Sequence, residues 1–408
     1  MKVLIVGGGA SGMMAALSAA EDPANQITLL ERQSRVGRKL LATGNGRCNL
    51  TNLGAGVSRY HGSAPAFAQA ALTRFDVRAT LAYFRSLGLL TVAEPDGKVY
   101  PLSDQASSVL DVLRFALEQR GVHIVPSCDV IEVRKKARGY EAVSATGEKY
   151  FGDKLILCCG GCAGKRLGGV RSGYFLLGQL GHHCTPLLPA LCQIKTDPTW
   201  VRALKGIRAD CHIRLLRGGR LLQQAEGELQ FTDFGVSGPV AFELSRAVST
   251  GGDGLTLTLD LFRAYSEAAL LAFLQQRRAN FPQLPSEELL SGSLQSRLGK
   301  TVLKRAGIDP ALPLRDLPDA SLAALCALAK CFPLAVEGVM GFDFAQVTVG
   351  GVPVEEFRPD TLESRLAPGV FAAGEVLDLD GDCGGFNLQW AWSSGYVAGK
   401  LGKVESSL

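Results

Sequence analysis

The chain has 408 residues, 47% hydrophobic and 20% charged, with 43 Lys and Arg against 39 Asp and Glu for a net charge of +4. That length carries two or three domains with substantial cores, and the composition is that of an ordinary globular protein. A small, dispersed charge argues against nucleic acid, the lack of an unbroken apolar run of spanning length argues against a membrane segment, and 11 cysteines, an odd number, read as reduced thiols of a cytoplasmic protein.

Met1 and Lys2 lead into the apolar run Val3 to Val6, then Gly7, Gly8, Gly9, Ala10, Ser11 and Gly12, then small and apolar residues from Met13 to Ala20. A buried parallel strand, a tight glycine turn and a helix explain that order with one structure. Gly7, Gly9 and Gly12 stand at G-x-G-x-x-G spacing, which gives a turn without side chains, a backbone open to a pyrophosphate, and close packing of helix on strand. Ala10 and Ser11 open the helix, whose N-terminal N–H groups favour phosphate. A second apolar run, Ile27 to Leu30, ends at Glu31, where a carboxylate can accept hydrogen bonds from ribose hydroxyls. An acid there favours FAD or NAD over NADP. The competing reading, a secretory apolar segment, leaves both the glycines and the acid unexplained.

From Arg32 through Arg35, Gly37, Arg38 and Lys39 to Thr43, Gly44, Asn45, Cys48, Asn49 and Asn52 the chain combines cations, glycines and small hydrogen-bonding side chains. Such a loop can lie along a phosphate-bearing ligand and meet a flat ring with its amides. A solvated basic loop would account for the charges but not the glycines.

Residues 66 to 120 read mainly as helices, ended by Gly121. Val122 to Val125, Asp129 to Val133, which includes Val130, and Tyr140 to Ala145 read as short strands. Lys154 to Cys158 is a buried strand running into Cys159, Gly160 and Gly161, a small-residue end that lets backbone pass close to a cofactor. Cys159 to Cys162 also matches C-x-x-C, but small apolar packing explains these cysteines better than dithiol chemistry.

From Leu191 the texture changes. Strand-like stretches within 191–262 and helices within 263–338 suggest an inserted domain with a β-barrel-like part and a small helical part. Phe231 to Pro239 would be a loop ahead of a helix. From 339 the pattern of the first domain, 1–190, returns. Gly369 to Ala373 is a buried strand ending at Gly374 and Glu375, an acid able to bind polyol hydroxyls. Gly384 and Gly385 then precede Asn387, Leu388, Gln389 and an apolar helix, a second N-terminus that could face developing negative charge on a reduced ring.

The Gly7 to Gly12 fingerprint, the block from Gly37 to Asn52, and Ala373 to Asp378 with Gly385, Asn387, Gln389 and Ser393 to Tyr396 resemble the BaiN/YhiN-like family of FAD-dependent oxidoreductases over nearly the whole chain. The resemblance implies an α/β glutathione-reductase-like FAD-binding Rossmann domain interrupted by the inserted units. It implies FAD contacts at Glu31, Lys39, Gly44, Asn45, Cys48, Asn49, the backbone near Val130, Glu375, Asn387, Leu388 and Gln389. Where such families show Ala-Thr-Gly-Gly, this chain has Cys158-Cys159-Gly160-Gly161. Members of the family are implied to reduce conjugated C=C bonds of steroid enones with NADH or NADPH. One dinucleotide fingerprint leaves any nicotinamide to bind transiently. Cys48, Cys383, Tyr174 and His182 are candidate proton donors. A small-molecule substrate leads, against a flavoenzyme acting on RNA and a flavin redox sensor.

Overall fold

The computed structural model describes residues 1–404. The chain divides into two compact units, Met1–Leu188 with the stretch from Gln346 on, and Pro189–Ala345, which interrupts it in sequence.

The first unit is built on a five-stranded parallel sheet in the order Val370–Ala372, Lys154–Leu157, Lys2–Val6, Gln26–Leu30, His123–Val125. The strands are short apolar runs because both faces of a parallel sheet are covered; Leu4, Ile5, Leu155, Ile156 and Phe371 are fully buried. Val6 pairs with Leu30 on one side and Leu157 on the other, so the segments after these strands leave the sheet at one edge. Gly7, Glu31, Cys158 and Ala373 therefore emerge side by side, where open α/β sheets bind ligands.

Helix Ala10–Ala19 packs against the C-terminal helix Phe386–Gly399. Gly395 and Gly399 permit the approach, because a Cβ at either would collide with a carbonyl oxygen of the first helix, Ser11 or Ala15. Trp390 and Trp392 on the second helix fill the space beneath it, Trp392 set edge-on to Phe84 at 5.0 Å and donating to the Leu50 carbonyl at 2.9 Å. A three-stranded antiparallel sheet, Val130–Lys135, Tyr140–Ser144 and Lys149–Gly152, completes this part.

The stretch 66–120 is not wholly helical. Between helices Val77–Ser86 and Ala106–Gln119 lies a hairpin, Thr91–Ala93 with Lys98–Pro101, which also pairs with Thr51–Asn52. Asp96-Gly97, with Gly97 at φ +84°, is a hairpin turn signal that a helical reading passes over.

The second unit contains a closed six-stranded barrel in the order Ile194–Thr196, Gly235–Ser237, Arg220–Phe231, Arg208–Arg217, Leu255–Asp260, Phe332–Val339. Two of these strands correct the sequence reading. Phe332–Val339 lies in the stretch assigned as helical, yet it closes the barrel by pairing with both Leu255–Asp260 and Ile194–Thr196. Gly235–Ser237 is a short strand inside the expected loop, followed by helix Pro239–Gly251. Helices Glu267–Asn280, Ser296–Arg305 and Asp319–Lys330 share one apolar core with the barrel, which includes Leu257, Leu274, Val302, Leu325 and Phe332. No helix among the described residues is long and apolar enough to cross a membrane.

Candidate active site

Gly7 sits at φ +103° and donates its N–H to the Leu30 carbonyl at 2.8 Å, fixing the turn to the second strand. A Cβ at Gly7 would strike the Cys158 carbonyl oxygen, and one at Gly12 the Gly7 carbonyl oxygen. At Gly9, the helix N-cap, a Cβ would meet nothing within 4 Å. The turn is thus closed on its sheet side and open on the other, the form that lets phosphate approach backbone N–H groups at Ala10 and Ser11.

Glu31 is tied to this turn. Its Oε2 accepts the Gly8 N–H at 2.7 Å and its Oε1 the Gln33 N–H at 2.6 Å. Each oxygen keeps a second lone pair for a ribose hydroxyl. The Glu31 carbonyl accepts the Cys128 N–H at 2.9 Å, which carries the segment leading to buried Val130 past the acid. Two of the arginines of this region are held by the protein: Arg32 Nη2 donates to the Gly168 carbonyl at 3.0 Å and Arg38 Nη1 to Gln33 Oε1 at 2.6 Å. The first of these contacts brings Gly168, two residues after Arg166, beside Arg32.

Lys39 forms an ion pair with Glu375 at 2.6 Å, both partly exposed. Glu375 Oε1 also accepts the Thr348 N–H at 2.8 Å, and Thr348 Oγ1 accepts the Ala163 N–H at 3.0 Å. Thr348 was not singled out from sequence, where a lone threonine before Gly350-Gly351 carries little signal. Gly374, at φ +78°, leaves just enough room for Ser11, whose Oγ would lie 2.5 Å from a Cβ there. Gly160, at φ +69°, faces open space.

The loop after Lys39 has an unusual backbone. Gly44, Asn45 and Cys48 all have positive φ, at +57°, +56° and +61°. Thr43 anchors it through its hydroxyl to the Leu40 carbonyl at 2.7 Å and its own carbonyl to the Cys48 N–H at 3.0 Å. Arg47 locks the outside, bonded to Glu94 at 2.9 Å and lying 4.0 Å over Tyr100. The left-handed conformation of the two non-glycine residues, Asn45 and Cys48, is held by these surroundings. Asn49 Oδ1 is buried without a hydrogen-bond partner. It stands 2.8 Å from where a Cβ of Gly385 would be, at the start of helix Phe386–Gly399.

That helix offers the first-turn N–H groups of Asn387 and Leu388, which have no intrahelical acceptor. The side chains of Asn387 and Gln389, however, are not available as expected. Asn387 clasps Gly381, accepting its N–H at 2.8 Å and donating to its carbonyl at 2.7 Å. Gln389 is fully buried, accepting from Thr51 and donating to the Phe75 carbonyl, Thr80 and Ser393. Both residues shape the site as scaffold, because their side chains are held in place by these protein partners.

The candidate proton donors separate in the same way. His182 has a fully buried side chain, with Nδ1 2.6 Å from Glu356 and Nε2 2.9 Å from Ser364, so neither ring nitrogen is left for a substrate. Burial pushes the Cys48 thiol up to about 12. Cys383 is half-buried on the approach to Gly385. Cys159 is also pushed to about 12, by burial first and the Glu31 charge second, which makes a nucleophilic thiolate unfavourable.

The bare turn, the acid beside it, the open side at Gly9 and Gly160, and a buried acceptor without a partner at Asn49 fit an extended dinucleotide. With the inserted barrel, these features define a Rossmann-type FAD-binding fold of the flavoprotein oxidoreductase class. The family described as HI0933-like protein Rossmann domain matches residues 1–401, and the chain belongs to it. Over 403 residues, 98% of each chain, it is 39% identical to the 3-dehydro-bile acid delta(4,6)-reductase of Clostridium scindens. It is 28% identical over 396 residues to the ribosomal RNA dihydrouridine synthase of Escherichia coli, covering 97% of this chain and 96% of that one. The 3-ketosteroid delta1-dehydrogenase from Sterolibacterium denitrificans, solved in complex with 1,4-androstadiene-3,17-dione, matches in fold with a TM-score of 0.50 at 12% identity, over 98% of each chain.

Proposed function

We propose that this protein binds FAD and uses reduced nicotinamide to saturate a C=C bond conjugated to a carbonyl in a small apolar molecule such as a steroid or bile-acid enone. The observation that carries this reading is the pairing of the orphaned Asn49 Oδ1 with the open helix start at Gly385 to Leu388, which together offer an acceptor and N–H donors to the polar edge of a flavin. The relative from Clostridium scindens supports the substrate class by its name.

In this scheme Gly9, Ala10 and Ser11 receive the pyrophosphate, Glu31 the adenosine ribose, and Glu375 with Lys39 the polyol chain. Gly44, Asn45, Cys48 and Asn49 bound the ring, and the dipole of helix Phe386–Gly399 favours negative charge at its start. A flavin held there supplies hydride transfer. Overall, hydride reaches the β-carbon, a proton reaches the α-carbon, and the nicotinamide is oxidised.

A second reading, reduction of a uridine in RNA, shares this chemistry, because the 5,6 bond of uracil is also conjugated to a carbonyl. It is favoured by the dihydrouridine synthase relative and by the contact of Arg32 with Gly168, two residues after Arg166. One experiment separates the readings. The protein is reduced anaerobically with NADH or NADPH and mixed with a 4-en-3-one steroid or with ribosomal RNA transcribed in vitro. Return of the yellow colour with saturated ketone supports the first reading, and dihydrouridine the second. Failure of both NADH and NADPH to bleach the flavin removes both readings and leaves the redox-sensor alternative.

A further inference from the structure

Tyr174 sits on the short helix Ser172–Gln179, is 7% exposed, and its hydroxyl is buried with no hydrogen-bond partner. Thr348 is the polar side chain within reach of the phenol, and Glu375, Cys162 and Cys184 act on it through their charge. Both oxygen-bearing neighbours hold other partners and keep a lone pair each for a ligand: Thr348 Oγ1 accepts from Ala163, while Glu375 takes the Thr348 N–H and the Lys39 ammonium. Gly173 next to Tyr174 presses the helix against Cys159 and Val376, where a Cβ would be 2.5 Å from the Cys159 Cβ. The ring is therefore fixed by packing rather than by its hydroxyl.

The space beside these groups is shaped by missing side chains. A Cβ on Gly161 would collide with Thr348 Oγ1 and come within 2.7 Å of Glu375 Oε1, and one on the preceding Gly160 would enter open space. An unmatched buried donor costs free energy unless a ligand or water matches it. Burial, with Glu375 and Cys162 adding to it, raises the phenol far above its ordinary value, so it remains a protonated hydrogen-bond donor.

We propose that Tyr174 is a further cofactor-positioning residue, whose phenolic O–H donates to a hydroxyl oxygen of the ribityl chain of FAD beside Glu375. This rests on the FAD reading above. It assigns the phenol to binding rather than to the proton-donor role for which Tyr174 was a candidate from sequence.

Apo wild-type protein and Tyr174→Phe, prepared by stripping flavin, are compared by thermal melting and by FAD titration followed through flavin fluorescence quenching. The phenylalanine keeps the packing and removes the unmatched donor. The apo Tm should stay level or rise while the Kd for FAD increases roughly tenfold. A drop in apo Tm with unchanged FAD affinity would show that the hydroxyl serves the protein's own structure and would overturn the proposal. Equal Kd values at equal Tm would overturn it too, leaving the FAD reading intact. Wild-type protein that binds no FAD would instead remove that reading and the proposal together.

Discussion

Gly12 faces the carbonyl oxygen of Gly7 so closely that the first turn of helix Ala10–Ala19 has no room for a Cβ at this position. The same residue would also bring a Cβ to 3.2 Å from Cys158, just past the end of the neighbouring strand. Helix and strand are thus locked together by an absent side chain. Gly12→Ala should destabilise the protein by about 3 kcal/mol, at the upper end for overpacking, because backbone rather than a flexible side chain must move. Thermal melting of the apo protein and flavin content after purification measure it. A variant that melts within a few degrees of wild type and remains yellow would show that the turn can open.

Glu31 holds two backbone N–H groups as well as facing the site proposed for the ribose. Glu31→Ala should weaken FAD binding by about 1.5–3 kcal/mol through the lost charge-assisted contacts, and should also lower apo stability, since Gly8 and Gln33 lose their acceptor. Glu31→Gln restores one acceptor oxygen and should fall between. If FAD affinity is unchanged in the alanine variant while apo stability drops, the carboxylate is a turn brace only.

Legibility in the sequence follows from how local the cause of each feature is. The Gly7 to Glu31 unit was readable because backbone clearance dictates glycine at fixed spacing and the strand must end where the ligand begins. The barrel was half readable: long strands such as Arg208–Arg217 show alternation, but Phe332–Val339 is separated from helix Asp319–Lys330 by Cys331 alone and owes its state to partners at Ile194 and Leu257. Side-chain direction was the least legible. Asn387 and Gln389 have the right chemistry to meet a ligand, and only tertiary neighbours, Gly381 for one and Phe75, Thr80 and Ser393 for the other, turn them to scaffold duty. Thr348 and the orphaned hydroxyl of Tyr174 needed three dimensions for the same reason.

Cys159 and Cys162 give a simpler expectation. Cys159 is half-buried, its thiol is pushed up to about 12, and it directs a weak contact to the Val6 carbonyl at 3.6 Å; burial raises Cys162 as well. Replacing either by alanine should cost about 1 kcal/mol of stability, as a small cavity, and leave kcat within about twofold, since no thiolate is needed. A large loss of turnover with FAD retained, in either variant, would instead assign the pair to redox chemistry.

His182 lies stacked on Phe357 with ring centroids 4.7 Å apart, and shares Glu356 with the exposed His183. Burial lowers the His182 pKa below its ordinary 6.5, with the neighbouring carboxylate opposing only in part. The unfolded chain therefore takes up that proton more readily than the native one, and by linkage native stability falls as pH drops below about 6.5. Glu356 adds to this at lower pH. Burial alone would raise its carboxyl, but hydrogen bonds from His183 and His182 outweigh that and hold it below 4.5, so its contribution is present above pH 4.5 and is lost as pH falls through its depressed native value. Thermal melting should show a lower Tm at pH 5.5 than at pH 7.5, with a further fall below pH 4.5. His182→Gln removes the titrating ring while keeping a side-chain amide able to donate to Glu356. It should lower Tm at pH 7.5 but flatten the decline between pH 7.5 and 5.5, and a variant that keeps the full wild-type decline would place the acid sensitivity elsewhere in the fold.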